Sequence, residues 1–163
     1  LADGAMLQGD LVVSAVGLRP RTGLAAKAGL EVGHGICVDR LLATSAEDVY
    51  ALGDCAEVEG QVLMYVMPLM AAARALAATL TGTPTPVKWG DMPVLVKTPC
   101  CPTAACPPVE SDDGHWEVQR EGNNVRALYR NTAGELLGFA VTGDYVIEKQ
   151  ALAKQVPPVL PDS

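Results

Sequence analysis

The stretch Val49-Tyr50-Ala51-Leu52-Gly53-Asp54-Cys55-Ala56 constrains this chain more than any other. Four mostly apolar residues, a glycine and then an aspartate read as a buried strand that turns sharply at its carboxyl end. A little further on, Tyr65-Val66-Met67-Pro68 opens an alanine-rich run. Proline in a first turn forfeits no hydrogen bond and alanine has the best helix propensity, so Pro68 to Thr81 is expected to be helical, with Gly82 just past its end. A strand end, a carboxylate and a helix start at this spacing mark the place where open α/β sheets bind ligands. They make only half of a site. The glycine-rich phosphate loop G-x-G-x-x-G occurs nowhere in the 163 residues. The chain also starts at Leu1 rather than Met, and the expectation is the C-terminal part of a longer nucleotide-binding protein.

Around this centre the pattern divides in two. Asp10 to Gly17 is an apolar run expected to be a buried, parallel strand. Leu24 to Ala28 is a short helical turn stopped at Gly29, and Gly35 to Asp39 alternates as a second strand. Thr83-Pro84-Thr85-Pro86 is a stiff, non-helical joint. Beyond it, Met92 to Thr98, Trp116 to Arg120, Val125 to Arg130 and Leu136 to Thr142 read as strands, the last three as an antiparallel meander. Gly122-Asn123-Asn124 and Asn131-Thr132-Ala133-Gly134 supply its turns. Glu148 to Val156 is expected to close the fold as a helix, with a frayed tail from Pro157. The fold class is therefore α/β: part of a Rossmann-like domain, then a small α+β domain with an antiparallel sheet.

Composition narrows the function. Aromatic residues are 4% of the chain, which suits close helix–sheet layers better than an aromatic-rich sandwich. A net charge of −7 with scattered Lys and Arg argues against nucleic acid, which needs a clustered basic face. No apolar run is long enough to span a membrane, and Leu1 does not open a signal peptide. Five unevenly spread cysteines fit a reducing cytoplasm better than a disulfide framework.

Five positions carry candidate chemistry. Asp54, behind Gly53, could accept hydrogen bonds from sugar-like hydroxyls, or simply turn a strand into a loop. Val66 lies just before the helix, where free backbone N–H groups and the helix dipole present positive potential; an ordinary helix start looks the same. Lys97 follows the apolar run Pro93-Val94-Leu95-Val96 and faces either solvent or a partner. Gly17 could admit a dinucleotide backbone, while Arg19 is left unassigned. Cys100, Cys101 and Cys106 lack the spacing and the fourth ligand of a zinc site, and no metal is expected. Arg120, Arg126 and Arg130, on neighbouring expected strands, form either a docking patch or a solvated sheet face.

Three stretches resemble the rubredoxin–NAD(+) reductases, a branch of the two-dinucleotide-domain flavoprotein reductases. DLVVSAVGLRPRT (10–22) resembles the return from the NAD(P)-binding insert, VYALGDCAEV (49–58) the second FAD motif, and MYVMPLMAAARALAATL (64–80) with MPVLVKTPCC (92–101) that branch in particular. The resemblance implies residues 1–19 ending an NAD(P)-binding domain, 20–86 forming the second half of an FAD-binding domain, and 87–163 forming a small rubredoxin-binding domain. It implies that Asp54 holds the FAD ribityl chain, that the Val66 backbone and Lys97 meet the flavin ring, and that Gly53 and Gly17 border the cofactors. NADH would donate electrons through FAD to rubredoxin, an acidic protein, in support of alkane hydroxylation or oxygen defence. No acid–base side chain is needed for that chemistry, which belongs to the cofactor. Two alternatives stand beside it: the same architecture serving ferredoxin, nitrite reductase or oxygen, and an isolated, cofactor-free interaction module.

Overall fold

A computed structural model describes residues 4, 6, 8–90, 92–108 and 113–160. Residues 1–3, 5 and 7 of the segment 1–19, and residues 161–163 of the tail, lie outside the described residues. Two cores organise the chain, one on either side of a connection near residue 90.

The first lobe holds α1 (Gly23–Lys27), β1 (Ile36–Val38), β2 (Ala56–Val58) and α2 (Val66–Leu80). β1 and β2 pair in parallel, Ile36 opposite Ala56. α2 turns Pro68, Ala72, Ala75 and Leu76 inward, a single stripe at helical spacing. It begins two residues before Pro68, which therefore sits inside the first turn. It ends in a Schellman motif: Gly82 takes φ +90, its N–H donates to Thr79 O, and Thr83 N–H donates to Ala78 O.

Two expected strands do not form. Residues 49–52 fold back on 42–44 instead. Ala51 N–H donates to Leu42 O at 3.1 Å, Thr44 N–H to Val49 O at 2.9 Å, and Tyr50 bridges Ala43. Leu42 (φ 66) and Asp48 (φ 58) adopt left-handed backbone on either side, which breaks any longer ladder. Residues 11–18 run extended but exposed, with Leu11 at 82% and Val16 at 93% of full accessibility, and pair with no strand among the described residues. A strand needs a neighbour to satisfy its N–H and C=O groups, and this one has none here.

The second lobe is a five-stranded antiparallel sheet in the order β3-β4-β7-β6-β5. Its strands are β3 (Val94–Val96), β4 (Thr103–Cys106), β5 (Gly114–Glu121), β6 (Asn124–Asn131) and β7 (Leu136–Thr142). A two-residue turn at 122–123 sets the hairpin register, Glu121 opposite Asn124, and a bulge sits at Tyr129/Arg130. One face carries Ala104, Cys106, Leu128, Phe139 and Val141, all buried under the segment that ends in α3 (Lys149–Ala153). α3 is shorter than the helix expected from Glu148 to Val156, because its end tightens into three-residue turns: Gln155 N–H donates to Leu152 O and Val156 N–H to Ala153 O.

The tail corrects another expectation. Leu160 is buried in the first core, and its N–H donates to Trp89 O at 3.1 Å. Val87 and Trp89 belong to that same core, so the packing changes lobes after the Pro86 joint rather than at it. Val87 N–H donates to Arg40 O at 2.7 Å, tying the joint to the first lobe.

Candidate functional site

Residues 53–55 form one 3₁₀ turn between the folded-back segment and β2, and Asp54 stands exposed on it. Gly53 is favoured by its backbone, at φ +80, and its Cα lies close against Leu69 in the first turns of α2, where an added Cβ would come within 2.9 Å of Leu69 Cδ1. That contact seats the Asp54 turn directly against the start of the helix. A cleft of about 450 Å³ opens beside it, walled by Leu18, Arg19, Arg21, Leu52, Asp54 and Met64 among others. Cys55 Sγ–H is turned back to Leu52 O at 3.6 Å.

The start of α2 flanks this cleft, since Met64 and Leu69 bracket Val66 and both line it. Val66 is the first helical residue, and its N–H has no intrahelical acceptor. No charged side chain caps the first turn, so the positive end of the helix is uncompensated there. Tyr65, just outside the helix, donates its Oη–H to Met92 O at 3.2 Å, on the segment that leads from the first core into β3. Burial, reinforced by the neighbouring Cys106, pushes its phenol above the usual tyrosine range, so it remains a donor.

The other expected residues are placed differently. Gly17 has φ +107 and open space around it; Leu18, the next residue, is the first to line the cleft. Lys97 follows β3, is exposed, and does not line the Asp54 cleft. Its strand borders a second cleft instead. Arg19, unassigned by sequence, and Arg21 join Asp54 at the same opening. The Leu18-Arg19-Pro20-Arg21 run held that signal, two cations held apart by a proline.

The three-arginine patch does not exist. Arg126 Nε donates to Glu148 at 2.7 Å and Arg130 Nε to Glu117 at 3.1 Å. Arg120 pairs with Val125 across the hairpin, whereas Arg126 pairs with Gln119, so Arg120 points to the opposite face. All five cysteines are free thiols, and among the described residues no three His, Cys, Asp or Glu side chains converge as metal ligands. Among them, too, no helix is long and apolar enough to cross a membrane.

The chemistry of this opening is that of a polyol and anion site beside a helix start. A carboxylate can accept from hydroxyls, two guanidinium groups can face an anion, and free N–H groups can donate to a ring edge. These groups fit a flavin dinucleotide lying along the cleft.

Residues 1–77 match the pyridine nucleotide-disulphide oxidoreductase family, and residues 86–156 match the rubredoxin binding C-terminal domain. The two matches lie side by side and together take in most of the chain. The chain is 56% identical over 161 residues to a rubredoxin-NAD(+) reductase of Alcanivorax borkumensis, a match that takes in 99% of this chain and 42% of that protein. It is 43% identical over 162 residues to the rubredoxin-NAD(+) reductase of Acinetobacter baylyi, taking in 99% of this chain and 41% of that one. The chain thus spans about two fifths of the curated relatives it matches. Among solved structures, the ferredoxin reductase for the CYP199A2 system from Rhodopseudomonas palustris superposes with a TM-score of 0.76 at 27% identity, over 96% of this chain and 41% of that one. The family reading of the fold class therefore holds: the first lobe is the C-terminal part of a Rossmann-like domain and the second a small α+β domain.

Proposed function

We propose that the complete protein is an NADH-dependent flavoprotein that reduces rubredoxin in the cytoplasm, and that this chain supplies the far half of its FAD site together with the acceptor-docking domain. Residues 1–19 would close the pyridine-nucleotide domain, 20–86 would complete the flavin domain, and 87–163 would form the docking domain, with Val87, Trp89 and Leu160 packed against the flavin side. The observation that carries the reading is the joining of two things in one short chain: the Gly53–Asp54 turn locked against α2, and a following domain that matches the rubredoxin binding family over residues 86–156.

Bound FAD would supply the step from two electrons to one. The residues do the holding. Asp54 would accept from the ribityl hydroxyls, Arg19 and Arg21 would offset the charge of the dinucleotide, and the Val66 N–H would donate to the edge of the ring system. Lys97, exposed beside the second cleft, is available to the flavin from the side of the second lobe. Gly17 gives the chain its turn into the cleft and would border the NAD side. One NADH reduces two rubredoxins, each taking one electron, and leaves NAD+ and one proton.

The test is made on the product of the complete reading frame. NADH-driven reduction of rubredoxin is compared with that of ferredoxin, and a clear rubredoxin preference is expected. Equal or reversed rates would retain the flavoprotein and remove the acceptor. Asp54→Ala is expected to weaken FAD retention about 10- to 100-fold, the worth of a charge-assisted hydrogen-bond pair, while Asp54→Asn keeps part of it. Full retention by Asp54→Ala would remove Asp54 from the site.

A further inference from the structure

The two edges of the five-stranded sheet are built differently. β3 is three residues long and sits between Pro93 and Lys97, and a short strand flanked by proline and lysine is how natural sheets blunt an edge. β5, at the other end of the order, is eight residues long and holds neither proline nor lysine. It keeps one unbroken register against β6 from Gly114 to Glu121. The two-residue turn makes Glu121 and Asn124 a hydrogen-bonded pair, so Glu117, Gln119 and Glu121 direct their backbone groups at β6. Trp116, Val118 and Arg120 turn theirs outward, and no strand among the described residues meets them. Trp116 and Val118 are 47% and 51% exposed along this edge. Arg120, unlike Arg126 and Arg130, has no acidic partner among the described residues.

We propose that β5 pairs antiparallel with β5 of a second copy of this chain, around a twofold axis through Val118, so that the two sheets join into one. The strand's own side chains select this occupant. Pairing centred on Val118 sets Trp116 opposite Arg120 of the second copy, an aromatic ring against a guanidinium. On the other face it sets His115 opposite Glu121 and Glu117 opposite Gln119, each a donor against a carboxylate. The neighbouring registers that keep the backbone bonds fare worse. A slip one way sets Glu117 against Glu117, and a slip the other way sets Glu117 against Glu121, like charges directly opposed. The charges on this edge therefore fix a register where they would otherwise prevent pairing. The pair is isologous, each contact occurring twice, and about six backbone hydrogen bonds satisfy the outward groups of both strands. The proposal is independent of which acceptor the protein serves.

The experiment uses the product of the complete reading frame, followed by sedimentation equilibrium across protein concentration. A mass rising to twice that of one chain is expected. Val118→Lys opposes two ammonium groups on the axis and is expected to weaken the dimer at least 10-fold. Val96→Lys, the same change on the blunted edge, is expected to leave the dimer Kd within twofold. Val118→Cys gives a second reading. Directly opposed residues of a hydrogen-bonded pair have Cα atoms about 5.5 Å apart, within disulfide reach, whereas Glu117→Cys would face Gln119 and not itself. On oxidation, mass spectrometry should find peptides linked through position 118 of both copies and none linked through position 117. A protein that stays monomeric at every concentration would overturn the proposal. So would a dimer that Val118→Lys weakens less than 10-fold or no more than Val96→Lys does. Should Val118→Lys fail to fold, the crosslinks decide: no link through position 118, or an equal one through position 117, would overturn the pairing.

Discussion

The two lobes solve the problem of burying a sheet in opposite ways. In the second, β5, β6 and β7 follow one another through short turns, β4 pairs onto the far side of β7, and this central strand carries Phe139 and Val141 with no accessible surface at all. In the first, two three-residue parallel strands are all the described residues provide, and an apolar run beside them stays in solvent. Antiparallel pairs close locally, whereas parallel strands need partners from distant sequence. The lobe that holds its own hydrogen bonds is the one that matches the rubredoxin binding domain; the lobe with unfilled edges is the one that carries the Asp54 cleft.

The largest expected effect tests whether the second lobe stands on its own core. Phe139→Ala should cost about 3–5 kcal/mol in denaturant unfolding, because nothing around a fully buried ring can collapse into its space. Leu76→Ala in the first lobe should cost less, about 2–3 kcal/mol, since its neighbours on α2 are already small. A larger loss at Leu76 than at Phe139 would invert the comparison. Tyr65→Phe probes the anchoring of the connecting segment to the first lobe and should cost about 1 kcal/mol, the net worth of one hydrogen bond. The folded-state phenol titrates above its ordinary value of 10.0, so this contribution is fully present below that pH and is lost as pH rises through the shifted value. Thermal melts of both proteins from pH 7 to 11 should therefore converge only at the alkaline end. The smallest effect lies at Glu59, exposed and hydrogen-bonded by Arg40 at 2.6 Å, which holds its carboxyl below the ordinary 4.5. Its stabilisation is present above that pH and lost as pH falls through the lowered value. Glu59→Gln should melt slightly earlier than wild type at neutral pH and together with it in acid.

Legibility followed the same division. The β5–β6–β7 meander was readable because Gly122-Asn123 and Asn131 to Gly134 mark its turns and β-branched and aromatic residues fill its strands. α2 was readable from Pro68 and Gly82, both of which take the roles their chemistry suggests. β4 was missed, since Thr-Ala-Ala-Cys is short, carries one β-branched residue and hides between prolines. The strand expected at 49–52 failed because left-handed backbone at Leu42 and Asp48, non-glycine positions with no sequence mark, folds that segment back. The arginine patch failed through parity: a two-residue turn places Arg120 opposite Val125, and so on the other face from Arg126. Asp54 and Gly53 line the mouth of a cleft.

The hydrogen bond from Leu160 to Trp89 ties the very end of the described chain into the lobe from which it is more distant in sequence. Trimming by a protease at Pro157 or Pro158 would thus leave the five-stranded sheet whole and uncork the core beneath the Gly53–Asp54 turn. Loss of a few terminal residues would be felt first at the Asp54 cleft, and only later in the sheet.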